Sequence, residues 1–358
     1  MMREKTYVVS TLLSVLVILS AVGMFNYWQD PAEIFSKEDH YQEFTEALAD
    51  GDNIVVSGNY DERLFRKSMI STQRNDPEVV VLGSSRVMGI GVEAFDNKCR
   101  IMNLAVSGAG LQDDIALWYL YQKSEVGSKS KTIIIGLDPW VLNANSGDDR
   151  WKRLADSYED ALQDWGDLEK TSIDFNKVNQ LFSISYTRES YKKWRSARKS
   201  LNVCIDIDDI AAGDSLLLPD GSRIWSQKDN ALDAKTEAHK YVSGKIYQIE
   251  NYNELDENLK KQFELWIENI IKQGYRVVFF FPPYHPYVYD CLQENQKYAE
   301  VFAAQEFFTD FAKEHGIVVL GNYNPSEMGL EDKDFIDGMH LRRNSLTQWL
   351  MNNNAVMK

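Results

Sequence analysis

Cysteine and histidine are scarce in this sequence, and their spacing argues against several kinds of site. The cysteines are Cys99, Cys204 and Cys291. They show no CxxC spacing, so they allow one disulfide at most and lack the pattern of a metal cluster. The five histidines show neither HxH nor HxxxH spacing. The sequence therefore predicts no bound metal and no cofactor.

Positive charge is also in short supply. The 358 residues include 39 lysines and arginines against 54 aspartates and glutamates, which gives a net charge of −15. Nucleic-acid binding requires clustered basic side chains that displace counterions from phosphates, so this balance argues against a nucleic-acid partner. The hydrophobic fraction of 44% and the charged fraction of 26% are ordinary for a globular protein with a packed core.

One stretch near the N-terminus, from Thr6 to Gln29, lacks charged side chains altogether. A helix needs about 20 apolar residues to cross the hydrocarbon core of a membrane, so this stretch is long enough. Arg3 and Lys5 precede it, and the positive-inside tendency places the rest of the chain outside the cytoplasm. We therefore expect a single-pass protein of a bacterial-type cytoplasmic membrane, with a signal anchor at residues 1–29, a stalk at 30–55 and an extracytoplasmic domain at 56–358.

A cleaved signal peptide is the alternative, since Ala21-Val22-Gly23 offers small residues for a cleavage site. The apolar character continues past this point to Trp28, where aromatic side chains would lie at the membrane surface. This continuation favours a retained anchor. Both alternatives export the domain.

Short apolar runs alternate with helical patterns in the rest of the chain. Runs such as Val79-Val80-Val81-Leu82 and Ile133-Ile134-Ile135 are typical of strands buried on both faces of a parallel sheet. We predict an α/β protein with a doubly wound, mostly parallel five-stranded sheet. The predicted strands are 78–83, 100–104, 131–137, 275–281 and 317–320, and the clearest helices are 112–123, 254–272 and 299–314.

Residues 145–250 form a predicted insertion between the third and fourth strands, far longer than one crossover needs. The pattern predicts a helix over 188–201, and Pro219-Asp220-Gly221-Ser222 between two apolar runs predicts a β-hairpin. We expect this insertion to cover or shape the site. Near the start of the domain, residues 61–69 have the spacing of a surface helix that carries Arg63 and Arg66.

Residues with the chemistry of acyl transfer follow the predicted strands. Ser85 follows the first strand, at the expected start of a helix whose N–H groups and dipole can face an oxyanion, and Gly83 permits the tight turn before it. After the last strand, Asp337 and His340 supply a carboxylate and an imidazole. Ligands of open α/β sheets bind at the carboxyl ends of the strands. We therefore expect a nucleophile, a base and an orienting acid at this edge of the sheet.

The loops after the second and third strands carry two further candidates. Gly108 lies in a loop of small residues and is the best candidate for a backbone donor to an oxyanion, although a plain turn would also explain it. Asp138 precedes a proline, which suits either the N-cap of the following segment or a role in the site.

The fourth strand and the nucleophile loop carry the remaining candidates. Tyr284 and His285 follow the fourth strand beside two prolines, where they could form a pocket wall that contacts substrate. His285 could also act as the base in place of His340, or hold a structural hydrogen bond. Arg86 would either bind an anionic substrate or pair with a carboxylate.

These motifs occur in the order of the four sequence blocks of the SGNH (GDSL-type) hydrolases: Gly83-Ser84-Ser85, Ser107-Gly108, the segment at Gly136, and Asp337-x-x-His340. The chain resembles the membrane-anchored branch of this superfamily, which includes the D-alanyl transfer protein of teichoic acid synthesis and the alginate O-acetylation proteins. The resemblance covers roughly residues 55–345 without the insertion, and implies a flavodoxin-like SGNH fold.

The resemblance also implies a role for each matching residue. Ser85 would be the nucleophile, His340 the general base and Asp337 its orienting carboxylate, with the backbone N–H groups of Ser85 and Gly108 as oxyanion donors. One position departs from the family pattern, because Asp138 stands where an asparagine side chain usually donates to the oxyanion. An ionised aspartate only accepts hydrogen bonds. Asp138 is therefore protonated, turned away, or associated with weak or specialised chemistry.

The sequence thus leads us to expect a membrane-anchored extracytoplasmic serine esterase or O-acyltransferase that acts on a cell-envelope polysaccharide or glycopolymer through an acyl-serine intermediate. The resemblance implies a membrane-bound O-acyltransferase as the partner that delivers the acyl group. One alternative is a catalytically weak or inactive member of the same fold that binds glycan or scaffolds an envelope complex. A lipid esterase is a second alternative.

Overall fold

The computed structural model describes residues 2–30, 39–126, 132–166, 181–182, 184–195, 201–204 and 210–353. The chain divides into two compact units, a smaller one of Met1–His40 with Leu168–Lys199 and a larger one of Tyr41–Asp167 with Ser200–Lys358. The helices of the described residues are α1 (Met2–Gln29), α2 (Gln42–Asp50), α3 (Glu62–Thr72), α4 (Leu111–Lys123), α5 (Ala155–Trp165), α6 (Ile184–Arg195), α7 (Gln227–Asn230), α8 (Ala234–Ser243), α9 (Glu257–Lys272), α10 (Pro286–Glu294), α11 (Ala299–His315) and α12 (Arg343–Asn353). The strands are β1 (Ile54–Val56), β2 (Val79–Leu82), β3 (Ile101–Asn103), β4 (Thr132–Gly136), β5 (Leu201–Val203), β6 (Ser215–Leu217), β7 (Arg223–Ile224), β8 (Arg276–Phe281) and β9 (Val318–Gly321).

The smaller unit contains α1 and α6. Within α1, the 21 residues Val9–Gln29 have a mean hydropathy of 2.0 and only 11% of this window is buried. A helix of this length and composition can cross a membrane. The N-terminal apolar helix expected from the sequence is therefore present, and it is a candidate membrane anchor.

The larger unit is built on a five-stranded sheet in the order β3-β2-β4-β8-β9. All four neighbouring pairs are parallel, so the carboxyl ends of the strands share one edge. Each predicted strand occurs within one residue of its expected bounds. The structure therefore confirms a mixed α/β protein with a five-stranded parallel sheet.

Side chains of β2, an interior strand of this sheet, enter two separate hydrophobic clusters. Val80 and Leu82 pack in the cluster that includes Trp118 of α4, whereas Val79 and Val81 pack in the cluster that includes Leu346 of α12. Successive side chains of a strand point to opposite faces, so both faces of the sheet are buried. This burial explains why the strand sequences are apolar without alternation.

A second, antiparallel sheet has the order β5-β1-β6-β7. The predicted hairpin is confirmed: Leu216 pairs with Ile224, and Gly221 in the turn adopts a φ of +79°. Residues 42–56, which the sequence assigned largely to a stalk, form α2 and β1 of the larger unit. Of the helix predicted over 188–201, residues 188–195 belong to α6, residues 196–200 lie outside the described residues, and Leu201 begins β5.

The helices predicted over 112–123, 254–272 and 299–314 are confirmed as α4, α9 and α11. The prediction of a surface helix over 61–69 was wrong in one respect. Helix α3 occupies this region, but Arg63 and Arg66 are buried with 3% and 0% exposure. Arg63 can be buried because Asp113 accepts two hydrogen bonds from its guanidinium, at 2.7 and 2.8 Å.

Candidate active site

Ser85 stands immediately beyond the carboxyl end of β2. Gly83 makes the turn with a φ of +129°, and a Cβ there would lie 2.8 Å from the carbonyl oxygen of Gly136 on the neighbouring strand. Only glycine fits this conformation and this close approach. Ser85 then begins a three-residue 3₁₀ turn rather than the α-helix that the sequence suggested, so a helix macrodipole contributes little at this position.

The structure brings Ser85, His340 and Asp337 into one hydrogen-bonded line. The Ser85 Oγ lies 2.9 Å from His340 Nε2. On the other side of the ring, His340 Nδ1 lies 2.8 Å from Asp337 Oδ2. These three residues, whose serine and histidine lie 255 positions apart along the chain, have the geometry of a nucleophile, a base and an orienting carboxylate.

Asp337 is held in its ionised form by its own loop. Burial alone would raise the pKa of this carboxyl, but the His340 imidazole and the backbone N–H groups of Met339 and His340 lower it to about 2. The two N–H groups donate to Asp337 Oδ1 at 2.8 and 2.9 Å. The ionised Asp337 accepts the Nδ1–H of His340, and in the neutral imidazole this leaves Nε2 as an acceptor for the Ser85 hydroxyl.

Two aromatic residues that the sequence did not single out lie against His340 and its loop. The Trp225 ring meets the His340 ring edge-on, with centroids 5.5 Å apart. The Tyr241 ring covers Gly338, where an added Cβ would lie 2.7 Å from it. No motif marks either residue, because their role depends on the folding of the insertion. The His340 and Asp337 side chains keep 19% and 33% exposure, so the site remains open to solvent.

Beneath the three residues lies a buried ion pair between Arg86 and Asp138. Arg86 Nη1 donates to Asp138 Oδ1 at 2.7 Å, and both side chains are essentially unexposed. Arg86 Nε also donates to the carbonyl oxygen of Met339 at 3.0 Å, and its Nη2 donates to that of Pro282. Of the two alternatives for Arg86, the structure therefore has the pairing with a carboxylate.

Asp138 occupies the N-cap position of the 3₁₀ turn Pro139–Leu142, but its side chain makes no capping hydrogen bond. The carboxylate turns toward Arg86 instead. Burial raises the pKa of Asp138, and the Arg86 guanidinium and the Ser84 hydroxyl oppose that rise. The Asp138 side chain thus points into the protein interior, beneath the turn that carries Ser85.

Tyr284 and His285 are also fully buried. The Arg86 guanidinium lies 4.2 Å from the centre of the Tyr284 ring, which is a cation–π contact. His285 Nδ1 accepts the N–H of Tyr287 and so caps α10, while its Nε2 faces Asp332 Oδ1 at 3.4 Å. The imidazole that contacts Ser85 is therefore that of His340 and not that of His285. The residues expected to contact substrate are buried and pack beneath the three hydrogen-bonded residues: Arg86, Asp138, Tyr284 and His285.

Gly108 lies in the loop after β3, beside the nucleophile turn, because the N–H of Val106 donates to the carbonyl of Gly83 at 3.0 Å. It adopts a φ of +56°. A Cβ at this position would lie 2.0 Å from the hydroxyl of Tyr247 and 2.3 Å from Arg150 Nη2, both of which belong to the insertion. In the part of the chain that the structure describes, the backbone N–H groups of Ser85 and Gly108 donate to no backbone carbonyl.

The remaining sequence-derived expectations concern cysteines and metals. None of the three cysteines is joined to another by a disulfide. Within residues 2–30, 39–126, 132–166, 181–182, 184–195, 201–204 and 210–353, no group of three His, Cys, Asp or Glu side chains has the arrangement of a metal site. Comparisons with models of known protein families and with curated proteins find no match for this chain.

Proposed function

We propose that this protein is a membrane-anchored extracytoplasmic serine esterase or O-acyltransferase, with the doubly wound, flavodoxin-like fold of SGNH hydrolases. The observation that carries the proposal is the line from Ser85 through His340 to Asp337, with contacts of 2.9 and 2.8 Å. The line stands at the carboxyl edge of a parallel sheet, where α/β proteins bind ligands. The order of the four sequence blocks adds support.

In the first step, Ser85 Oγ attacks the carbonyl carbon of an acyl ester while His340 Nε2 takes its proton. A tetrahedral intermediate forms with its negative charge on the former carbonyl oxygen. When the intermediate collapses, the bond to the leaving oxygen breaks and His340 returns the proton to that oxygen. The acyl group is then bound to Ser85 as an ester.

In the second step, an acceptor hydroxyl attacks the acyl-serine with His340 again as the base. Water gives hydrolysis, and a sugar hydroxyl gives transfer to a polysaccharide or glycopolymer of the cell envelope. Transfer is favoured by the resemblance to the anchored branch, in which a membrane-bound O-acyltransferase supplies the acyl group. The edge-on Trp225 beside His340 offers an aromatic surface near the point where a sugar acceptor would approach.

The backbone N–H groups of Ser85 and Gly108 would bind the oxyanion. Each such donor is worth about 10²- to 10³-fold in rate, so the absence of the usual asparagine makes the reaction slower than in a complete site. The negative charge of Asp138 repels the oxyanion only weakly, because the Arg86 guanidinium, 2.7 Å away, compensates that charge. We therefore propose an active site with two oxyanion donors.

A fluorophosphonate probe tests this proposal directly, because its phosphorus is attacked by an activated serine and loses fluoride. We expect one label on the full-length protein, at Ser85 by peptide mapping. Ser85→Ala should abolish the label, and His340→Ala should slow it by at least about 10³-fold. The matched control is Ser326→Ala, which changes a serine outside the site and should leave labelling intact.

The same experiment separates the alternatives. If the folded protein takes no label and the Ser85→Ala variant keeps its function in cells, the protein is a non-catalytic glycan-binding or scaffolding member of the fold. If Ser85 is labelled and the enzyme turns over detergent-dispersed lipid esters but no glycan ester, the protein is a lipid esterase. The substitution of the usual asparagine by Asp138 is the feature that favours the first of these alternatives.

A further inference from the structure

One polar side chain, Asn26, is fully buried within the apolar C-terminal half of α1. Its Nδ2 donates to the backbone carbonyl of Leu181 and to Thr187 Oγ1, both at 2.7 Å. These partners belong to the insertion that the sequence predicts, more than 150 residues away along the chain. They lie in the same compact unit as α1.

Two further contacts join this segment to the C-terminal end of α1. The hydroxyl of Tyr186 donates to Asp30 Oδ1 at 2.8 Å. The ring of Phe182 covers Gly23 so closely that a Cβ there would lie 2.9 Å from Phe182 Cε1. Gly23 and Asn26 are three residues apart and so lie on one side of α1, and Asp30 directly follows the last residue of that helix.

The position of these contacts along α1 fixes their depth if α1 crosses a membrane. The apolar window runs over Val9–Gln29, so its midpoint is residue 19. With a rise of about 1.5 Å per residue, Gly23 and Asn26 lie roughly 6 and 10 Å from the midplane, inside a hydrocarbon half-thickness of about 15 Å. Asp30 falls just outside this limit, where a charged group is expected. The residues that touch Gly23 and Asn26 therefore share the depth of the acyl chains.

Residues of this segment also expose large apolar side chains. Phe182, Ile184 and Tyr191 are 47%, 89% and 49% exposed. Such exposure is unfavourable in water, but it is the normal state of side chains that face lipid. The inner contacts of the segment are the polar ones to Asn26 and Asp30 and the packing of Phe182 on Gly23. Within the described part of the segment, the exposed side chains are the apolar Phe182, Ile184 and Tyr191 and the charged Arg188, whose long side chain can reach the headgroups.

We propose that the segment of residues 181–182 and 184–191 is embedded in the bilayer beside the C-terminal half of α1, with lipid acyl chains against Phe182, Ile184 and Tyr191. The proposal rests on the membrane-spanning role of α1 in the proposed function. It gives the catalytic chain a second attachment to the membrane through its own insertion. It also gives a role to an asparagine in a membrane helix: its Nδ2 satisfies one backbone carbonyl of the embedded segment, that of Leu181.

Depth-dependent fluorescence quenching tests this second attachment. The full-length protein, with Cys99, Cys204 and Cys291 changed to serine, is labelled with an environment-sensitive fluorophore at Ile184→Cys and reconstituted in phosphatidylcholine–phosphatidylglycerol vesicles. Lipids that carry a nitroxide on the acyl chain are the quenchers. Val17→Cys in α1 reports the anchor, and Lys333→Cys, whose native side chain is 77% exposed, reports an aqueous position.

We expect quenching at position 184 within about twofold of that at position 17, and little at position 333. If position 17 is quenched and position 184 is not, the embedded segment is refuted, and a protein partner or water covers these side chains. If neither is quenched, α1 does not span the membrane and the proposed anchor itself is refuted.

A substitution in α1 probes the link between the two segments. Asn26→Leu removes both hydrogen bonds and should reduce quenching at position 184 while leaving it unchanged at position 17. Ser14→Leu, which changes an exposed polar residue of the same helix, is the control and should alter neither. As a second readout without cysteine changes, a benzophenone amino acid at position 184 should crosslink to lipid. Crosslinking to protein alone would contradict the proposal.

Discussion

Arg86 and Asp138 form an ion pair of 2.7 Å in which the two side chains are 0% and 1% exposed. Arg86 directly follows Ser85 in sequence, and its Nε also donates to the carbonyl of Met339, the residue before His340. The pair thus connects the loop of Ser85 to the loop of His340. The stability and labelling of variants of Arg86 and Asp138 show whether the pair supports the structure or contacts substrate.

We predict that Arg86→Met and Asp138→Asn each lower the free energy of unfolding by about 3–5 kcal/mol, because each leaves a buried charge or its partner uncompensated. The double variant should lose less than the sum of the two. Urea unfolding at pH 7 measures all three. The exposed pair of Lys98 with Asp96 is the control, and Lys98→Met should cost less than about 1 kcal/mol. Additive losses would contradict the ion pair as the source of stability.

We predict that Arg86→Met slows fluorophosphonate labelling of Ser85, and that Arg86→Lys preserves more stability than Arg86→Met without restoring the labelling rate. A lysine keeps the charge opposite Asp138, yet its single ammonium group cannot also reach the carbonyls of Met339 and Pro282 in the planar geometry of the guanidinium. The labelling rate and the unfolding free energy are measured on the same samples. Full recovery of labelling in Arg86→Lys would show that only the charge matters, and that Arg86 does not position the His340 loop.

Asp337→Asn should slow labelling of Ser85 by about 10³- to 10⁴-fold while the fold is retained. The amide oxygen of the substituted side chain can still accept the N–H groups of Met339 and His340, but its amide nitrogen then donates to His340 Nδ1. The imidazole must take the other tautomer, with its proton on Nε2, and can no longer accept from Ser85. The labelling rate at several pH values checks this prediction, and near-normal labelling would exclude Asp337 as the orienting group.

The same carboxylate contributes to stability in a defined pH range. The pKa of Asp337 falls from its ordinary 3.8 to about 2 on folding, so the stabilisation is fully present above about pH 4 and is lost as the pH falls toward 2. With its side chain 33% exposed, solvent screening reduces the contribution to about 1–2 kcal/mol. Unfolding free energies of the natural protein and Asp337→Asn should differ by this amount at pH 5 and converge near pH 2. A constant difference would contradict the prediction.

Gly108→Ala should lower the labelling rate at Ser85 by at least about 10²-fold, because the added methyl group meets the Tyr247 hydroxyl and displaces the loop that carries a proposed oxyanion donor. Gly147→Ala is the matched control: Gly147 also has a positive φ, +75°, but nothing lies within 4 Å of its added Cβ. The control measures the cost of the left-handed conformation alone, about 1 kcal/mol. If the two substitutions changed the labelling rate equally, Gly108 would have no role as an oxyanion donor.

The parts of the fold that the sequence predicts well are local. The uninterrupted apolar run of β2 identifies a strand buried on both faces, and the strand end then identifies Ser85 without knowledge of any partner. His340 and Asp337 could be predicted for the same reason, because they share one short loop after the last strand. The distance between Ser85 and these two residues could not be predicted from the sequence. It follows from the fold, because the carboxyl ends of the parallel strands lie at one edge of the sheet.

The parts that could not be predicted depend on pairings between distant residues. Strand β1 has three residues, and only its pairing of Ile54 with Val203 and Leu217 makes it a strand. The burial of Arg63 depends in the same way on Asp113, fifty residues away. Short strands and single ion pairs leave no periodic signal in the sequence, because their stability comes from the partner.

His340 and Asp337 are three residues apart and are hydrogen-bonded through both the imidazole and the backbone, so the contact between them is fixed within one short loop. In the proposed mechanism, the remaining variable is the distance between this loop and the turn that carries Ser85. Arg86 connects the two through its hydrogen bond to the carbonyl of Met339. A shift of the Met339 loop relative to the serine turn would separate the proposed nucleophile from its base while leaving His340 and Asp337 paired.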